Sequence, residues 1–227
     1  MAKDRKNKHD QEPYFKGISK KNYIQKTYEI IQRDGIGKVS IRRLADELGC
    51  SSANLYHHFS SLQELLFYSE CRTLRVYIDA ISEAEKQWKG ARDIYIGIWD
   101  CYSKVSFQYP DAWDIIFFRY DSEQMRSLFH DYYSMFEEDL RVTSSYFVEM
   151  LEEPGYMERD MKMCQMCVRA GILTEENAIL LNRQSCMLYK GYLKTILDLE
   201  PAEEEKDKLR KMFMDDICSV FYHLIHD

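Results

Sequence analysis

Residues 40–66 read Ser-Ile-Arg-Arg-Leu-Ala-Asp-Glu-Leu-Gly-Cys-Ser-Ser-Ala-Asn-Leu-Tyr-His-His-Phe-Ser-Ser-Leu-Gln-Glu-Leu-Leu, and this spacing leaves the chain few folds to choose from. Ile41, Leu44, Ala45 and Leu48 recur at helical intervals. Ser40 stands where its hydroxyl can cap the first turn, and Gly49 follows the last apolar residue, where a left-handed residue closes a helix. Ser51 or Ser52 then caps a second short helix with Leu55 and Phe59 inward and Ser52, Asn54, Tyr56 and His57 outward. Two short helices joined by a glycine turn, the second showing small polar and aromatic donors, suit the DNA major groove.

The rest of the chain also reads as helix. The four prolines, Pro13, Pro110, Pro154 and Pro201, all fall between apolar-periodic stretches, and no run alternates as a strand would. The spacing predicts a first helix from Ser19 to Asp34 with Ile24, Thr27, Tyr28 and Ile31 on its inner face. From Ser60 to about Lys89 neither Pro nor Gly occurs, which predicts one long rod. Further helices are expected over about 91–108, 113–118, 122–151, 158–170 and 174–199, with a last one opened by Pro201. The expected class is all-α, with a tail at 1–15, a helix-turn-helix domain at 16–62 and a regulatory bundle of six or seven helices at 63–227.

Net charge is −7 over 227 residues, an unpromising total for a DNA binder until it is divided. Residues 1–60 carry twelve Lys/Arg against seven Asp/Glu, net +5, and residues 61–227 carry nineteen against thirty-one, net −12. Within a Debye length of about 8–10 Å, only the positive local field acts on a duplex. The charged N-terminus lacks the apolar core of an export signal, no stretch approaches eighteen apolar residues, and the seven cysteines are odd in number. A cytoplasmic protein with free thiols and no membrane span is expected.

Residues 19–66 resemble the DNA-binding domain of the tetracycline-repressor-type (TetR) family of bacterial regulators. The resemblance rests on the amphipathic first helix, Gly35, Ile-Arg-x-Leu-Ala, Leu-Gly-x-Ser, and Leu-Tyr-His-His-Phe followed by a capped helix. It implies that Ser40, Arg42, Ser51, Ser52, Asn54, Tyr56 and His57 meet DNA. One departure stands out, since Ser60, Ser61 and Leu62 replace lysines common in the family and remove a phosphate contact. The resemblance further implies a homodimer through the last two helices and a small-molecule effector held within the bundle.

Seventeen of the twenty-five aromatic residues beyond position 60 lie in residues 88–157, a density that suits a pocket for an aromatic or lipophilic effector. The candidate lining is Trp99, Tyr102, Trp113, Phe117, Phe129 and Tyr133. Asp100, Asp114 and Asp121 either favour a cationic ligand or are solvated carboxylates. For the dimer, the apolar stripes supply Met187, Leu188, Gly191, Tyr192 and Ile196 on one helix and Phe213, Ile217 and Phe221 on the other. Cys164 and Cys167 form a lone Cys-x-x-Cys, which reads as core packing, with a thiol or metal sensor as the other reading. No phosphate loop, dinucleotide fingerprint, nucleophile elbow or metal cluster is found, so neither a catalytic role nor a cofactor is expected. The function expected is a ligand-responsive regulator, a repressor released by its effector. The alternatives are a thiol or metal sensor, and an adaptor that keeps the fold without binding DNA.

Overall fold

The computed structural model describes residues 17–140 and 144–225, and these consist of α-helices and short 3-10 turns with no strand among them. They group into two compact units divided between Leu62 and Gln63.

The first unit holds α1 (Lys20–Asp34), α2 (Ile41–Leu48) and α3 (Ser52–Leu55). Ser19 caps α1 in a reciprocal box with Asn22. The buried face of α1 is Tyr23, Ile24, Thr27 and Ile30. Tyr23 and Ile30 therefore occupy the places expected for Tyr28 and Ile31, because the Tyr23 ring packs against His58 and Phe59 at centroid distances of 5.6 and 6.0 Å.

The second stretch runs through α4 (Leu62–Glu70), α5 (Leu74–Ala84), α6 (Ala91–Gln108), α7 (Pro110–Phe118), α8 (Ser122–Met135), α9 (Ser145–Leu151), α10 (Tyr156–Arg169), α11 (Glu175–Leu199) and α12 (Glu203–Leu224). Two expected rods are divided. The first tightens into 3-10 geometry at Cys71–Thr73 and again at Glu85–Gln87. One turn before the first break, the Ser69 hydroxyl donates to the Leu65 carbonyl at 2.8 Å, a back-bond that loosens a helix ladder. The second rod stops at Met135, where the chain turns to bury Asp139. That carboxylate accepts from Arg72 Nη1 (3.0 Å), Arg75 Nη1 (3.2 Å) and Tyr132 Oη (2.5 Å). Pro201 also lies outside the last helix, which opens two residues later behind Ala202.

Helix α6 sits at the centre of this unit, with α5, α7, α10, α11 and α12 packed around it. Tyr95, Trp99, Tyr102 and Phe107 are buried on it. Tyr95 stacks on Phe221 at 5.0 Å, Trp99 meets Phe213 edge-on at 5.6 Å, and Tyr102 lies 4.9 Å from Tyr189. Such pairs add about 0.5–1.5 kcal/mol each beyond area burial.

This packing corrects part of the expected dimer surface. Ile196, Phe213, Ile217 and Phe221 are at most 1% exposed and fill the unit's own core. A single apolar face of α12 cannot serve both α6 and a partner. Met187 and Gly191 are exposed, and Leu188 and Tyr192 are half-buried.

Glu70 is buried with Thr73 Oγ1 as a 3.3 Å donor, and burial pushes its carboxyl up to about 7. A carboxyl raised in the folded state is protonated there while the unfolded chain is already ionised, so stability falls as pH rises from about 4.5 to 7. Glu70→Gln is expected to raise stability at pH 8 by on the order of 1–3 kcal/mol and to change little at pH 4. Urea denaturation at both pH values checks this.

Candidate nucleic-acid interface

The head is assembled from its caps and its turn. Ser40 accepts from the Arg43 amide at 3.2 Å and starts α2. Gly49 closes α2 at φ 66°, ψ 34°, with nothing within 4 Å of the position a Cβ would take. The Cys50 amide then donates back to Ala45 O at 2.9 Å, completing the C-terminal cap. Ser51 holds the extended backbone of an N-cap without a side-chain bond.

Helix α3 is shorter than the sequence suggests. Its α-helical part ends at Leu55, and the amides of Tyr56, His57 and His58 donate to Ala53, Asn54 and Leu55 as i→i−3 bonds of 3.0–3.3 Å. The tightening brings His58 and Phe59 onto Tyr23, while Leu55 and Phe59 are 1% and 2% exposed as the spacing implies.

Of the expected DNA-facing residues, Ser40, Arg42, Ser51, Ser52, Tyr56 and His57 are exposed, Tyr56 at 57%. Asn54 is half-buried, and its Nδ2 donates to the Tyr23 hydroxyl at 3.2 Å. That hydroxyl also bonds Cys50 Sγ at 3.1 Å, and burial pushes the phenol up to about 12. Asn54 thus ties α3 to α1. The neighbouring arginines divide labour in a way their adjacency hides. Arg43 bonds Asp34, Glu47 and the Lys38 carbonyl, and Arg33 reaches Glu47 at 2.9 Å, so the pair clamps α1 to α2. Those arginine bonds hold both carboxyls below their usual range. No ion pair is found for Arg42 among the described residues, and its side chain is exposed. Lys20 lies 5.3 Å over the Phe59 ring, and Lys26 pairs with Glu29 at 3.0 Å.

The expected effector residues are brought together only in part. Trp99 and Tyr102 line a small cavity of about 20 Å³ with Tyr77, Arg159, Asp160 and Met163. Trp113, Phe117 and Phe129 are buried beside them as core, and Tyr133 stacks on Phe129 at 6.0 Å. The acidic residues considered for a cationic ligand have other work. Asp100 pairs with Arg210 at 2.7 Å, Asp114 with Arg119, and Asp121 caps α8 by accepting from Gln124 N at 2.8 Å.

Sequence reasoning missed Arg159 and Asp160. Their signal was available, since both fall among the positions 159, 160, 163, 164 and 167 that form the inner stripe of α10. Asp160 accepts from Trp99 Nε1 (2.9 Å) and Asn182 Nδ2 (3.0 Å), and burial pushes its carboxyl up to about 7. Cys164 and Cys167 are buried with thiols pushed upward by that burial, Cys167 to about 12, so the reactive thiolate is disfavoured. No group of His, Cys, Asp and Glu that could hold a metal occurs among the described residues.

A capped helix, a left-handed glycine turn and a short exposed second helix form a helix-turn-helix. Residues 24–68 match the family model described as bacterial regulatory proteins, tetR family. The chain is 23% identical over 130 residues to HTH-type transcriptional regulators of Staphylococcus aureus, among them those of strains MRSA252 and USA300, covering 55% of this chain and 70% of each of theirs. Among solved structures it resembles one assigned to the tetR family of transcription regulators from Shewanella sp. PV-4 (TM-score 0.51, 15% identity, 92% of this chain and 100% of that one). It also resembles a Rhodococcus sp. RHA1 protein of unknown function (TM-score 0.54, 17% identity, 95% and 100%). The match places a DNA-binding domain of the tetR type at residues 24–68 of this chain. No described helix is long and apolar enough to cross a membrane.

Gly49→Ala forces a side chain into the left-handed region and is expected to cost about 1–2 kcal/mol without creating a clash. Chemical denaturation of the full chain, followed by hydrogen exchange in α2 and α3, checks both the size and the place of the loss.

Proposed function

We propose that the protein is a ligand-responsive repressor that binds a pseudo-palindromic operator as a homodimer and leaves it when a small molecule enters the bundle. The observation that carries this reading is the head itself: Arg42, Ser51, Ser52, Tyr56 and His57 stay exposed while Leu55 and Phe59 turn inward. Phosphate contacts from Ser40 and Arg42 would set the register, and Tyr56 and His57 would meet base edges or sugar.

The dimer reading draws on an exposed apolar surface along α11 and α12. Met187 is 70% exposed and Met212 55%. A groove of about 650 Å³ runs between the two helices, lined by Met187, Leu188, Gly191, Tyr192, Leu209 and Val220 among others. A second copy placed there by a two-fold axis would cover the same patch on both chains. The effector acts by binding one spacing of the two heads better than the other, which shifts the population between them.

Fluorescence anisotropy with DNA flanking the protein's own gene tests the reading. A specific complex is expected, its affinity falling with salt, and Tyr56→Ala should weaken it by about 1–3 kcal/mol. Equal affinity for this DNA and for a scrambled duplex would contradict it. For the dimer, Met187→Glu sets two carboxylates near each other across the axis and should raise the dimer dissociation constant at least about tenfold. Sedimentation velocity reads the change.

A further inference from the structure

Arg159 is a guanidinium whose charge is left unanswered inside the bundle. It is 4% exposed. Nε donates to the Glu153 carbonyl at 2.7 Å and one terminal nitrogen to the Leu151 carbonyl at 2.9 Å, so half of the fork closes the end of α9. The other terminal nitrogen, Nη1, is buried with no acceptor, and no carboxylate pairs with Arg159 among the described residues. The rings of Phe117 and Phe129 stand 5.0 and 4.9 Å from the guanidinium carbon. They offer cation–π attraction but no charge.

Arg159 lines the same small cavity as Trp99 and Tyr102. Tyr102 Oη, Trp113 Nε1, Tyr133 Oη and Tyr189 Oη in the surrounding aromatic cluster also meet no partner of normal geometry. The Tyr133 phenol lies close enough to Arg159 for the guanidinium to favour its ionised form, although no hydrogen bond of normal geometry joins them. Neighbouring Asp160 forms no ion pair with Arg159 and accepts instead from Trp99 and Asn182. A buried charge is ordinarily paired, and a buried donor without an acceptor costs about 1–3 kcal/mol. Aromatic walls around a buried cation with no carboxylate partner among the described residues favour an anion with an apolar body.

We propose that Arg159 is the anchor for the anionic group of the effector, a carboxylate on an aromatic or aliphatic body that the Trp99, Tyr102, Phe117 and Phe129 cluster encloses. This deepens the ligand-responsive reading and rests on it. A carboxylate accepts two N–H donors of a guanidinium fork, so Nη1 gains its acceptor and the charge its partner. The cavity of about 20 Å³ admits little more than a water molecule, so the apolar body enters only when the aromatic cluster parts. Because the same guanidinium holds the Leu151 carbonyl at the end of α9 and the Glu153 carbonyl just beyond it, an arriving carboxylate would compete for donors that fix that turn. The effector would thereby move structure as well as fill space.

The test is calorimetric titration of the full chain, without DNA, with 4-phenylbutanoate, naphthalene-2-carboxylate and decanoate. Each is compared with the primary amide and primary amine of the same skeleton. At least one carboxylate is expected to bind, at least about tenfold more tightly than its amide or amine. Arg159→Gln should abolish that preference, and Arg159→Lys should retain part of it. Equal or tighter binding by the neutral or cationic partner, no binding by any of the three carboxylates, or an unchanged preference in Arg159→Gln would each overturn the proposal. If Arg159→Gln does not fold, the comparison within matched compounds on the unmutated chain decides. Titration without DNA keeps this outcome separate from that of the DNA-binding reading.

Discussion

Helix α6 has aromatic residues to bury on more than one side, and no single neighbour can cover them. Tyr95, Trp99, Tyr102 and Phe107 project from it, and rings from α7, α11 and α12 close over them, as Trp113, Tyr189 and Phe213 show. This demand turns the strongest apolar face of α12 inward. The outer surfaces of α11 and α12 are left with scattered exposed residues such as Ile179, Met187 and Met212. The intramolecular core and the proposed intermolecular surface therefore occupy opposite sides of the same two helices.

Polar groups placed inside that apolar mass decide where helices stop. Asp139 turns the chain inward after α8 to meet two arginines and a tyrosine. Arg159 closes the end of α9 through the Leu151 carbonyl and the Glu153 carbonyl just beyond it. These are costly arrangements, because a buried ion stabilises only when its geometry is fully satisfied. Asp139 is satisfied and Arg159 is not. The proposed effector would act at the unsatisfied member, since binding there would remove an existing penalty.

The class of the fold and the local geometry of the head were legible in the sequence. Ser40 caps and Gly49 is left-handed because steric rules act within four or five residues. What escaped was tertiary. Asn54 looks like a base-reading residue until Tyr23, thirty-one positions away, takes its amide. Arg42 and Arg43 are indistinguishable by neighbourhood, yet Arg43 is claimed by Asp34 and Glu47. An amphipathic stripe shows that Phe213, Ile217 and Phe221 are covered but not by which chain. The charges on the inner stripe of α10 were the one readable sign that passed unnoticed, because aromatic density drew attention to α6 and α7 instead.

The chain carries a helix-turn-helix head that matches the tetR type, and the proposal that most depends on this structure is that two heads act together on one stretch of DNA. Its most direct measurement is the number of chains bound per duplex at saturation, by sedimentation equilibrium on a fragment spanning the region upstream of its gene. Two chains per site, with symmetric protection centred about one helical turn or a multiple apart, is the expected result. A single chain on a site with one-sided protection would contradict it.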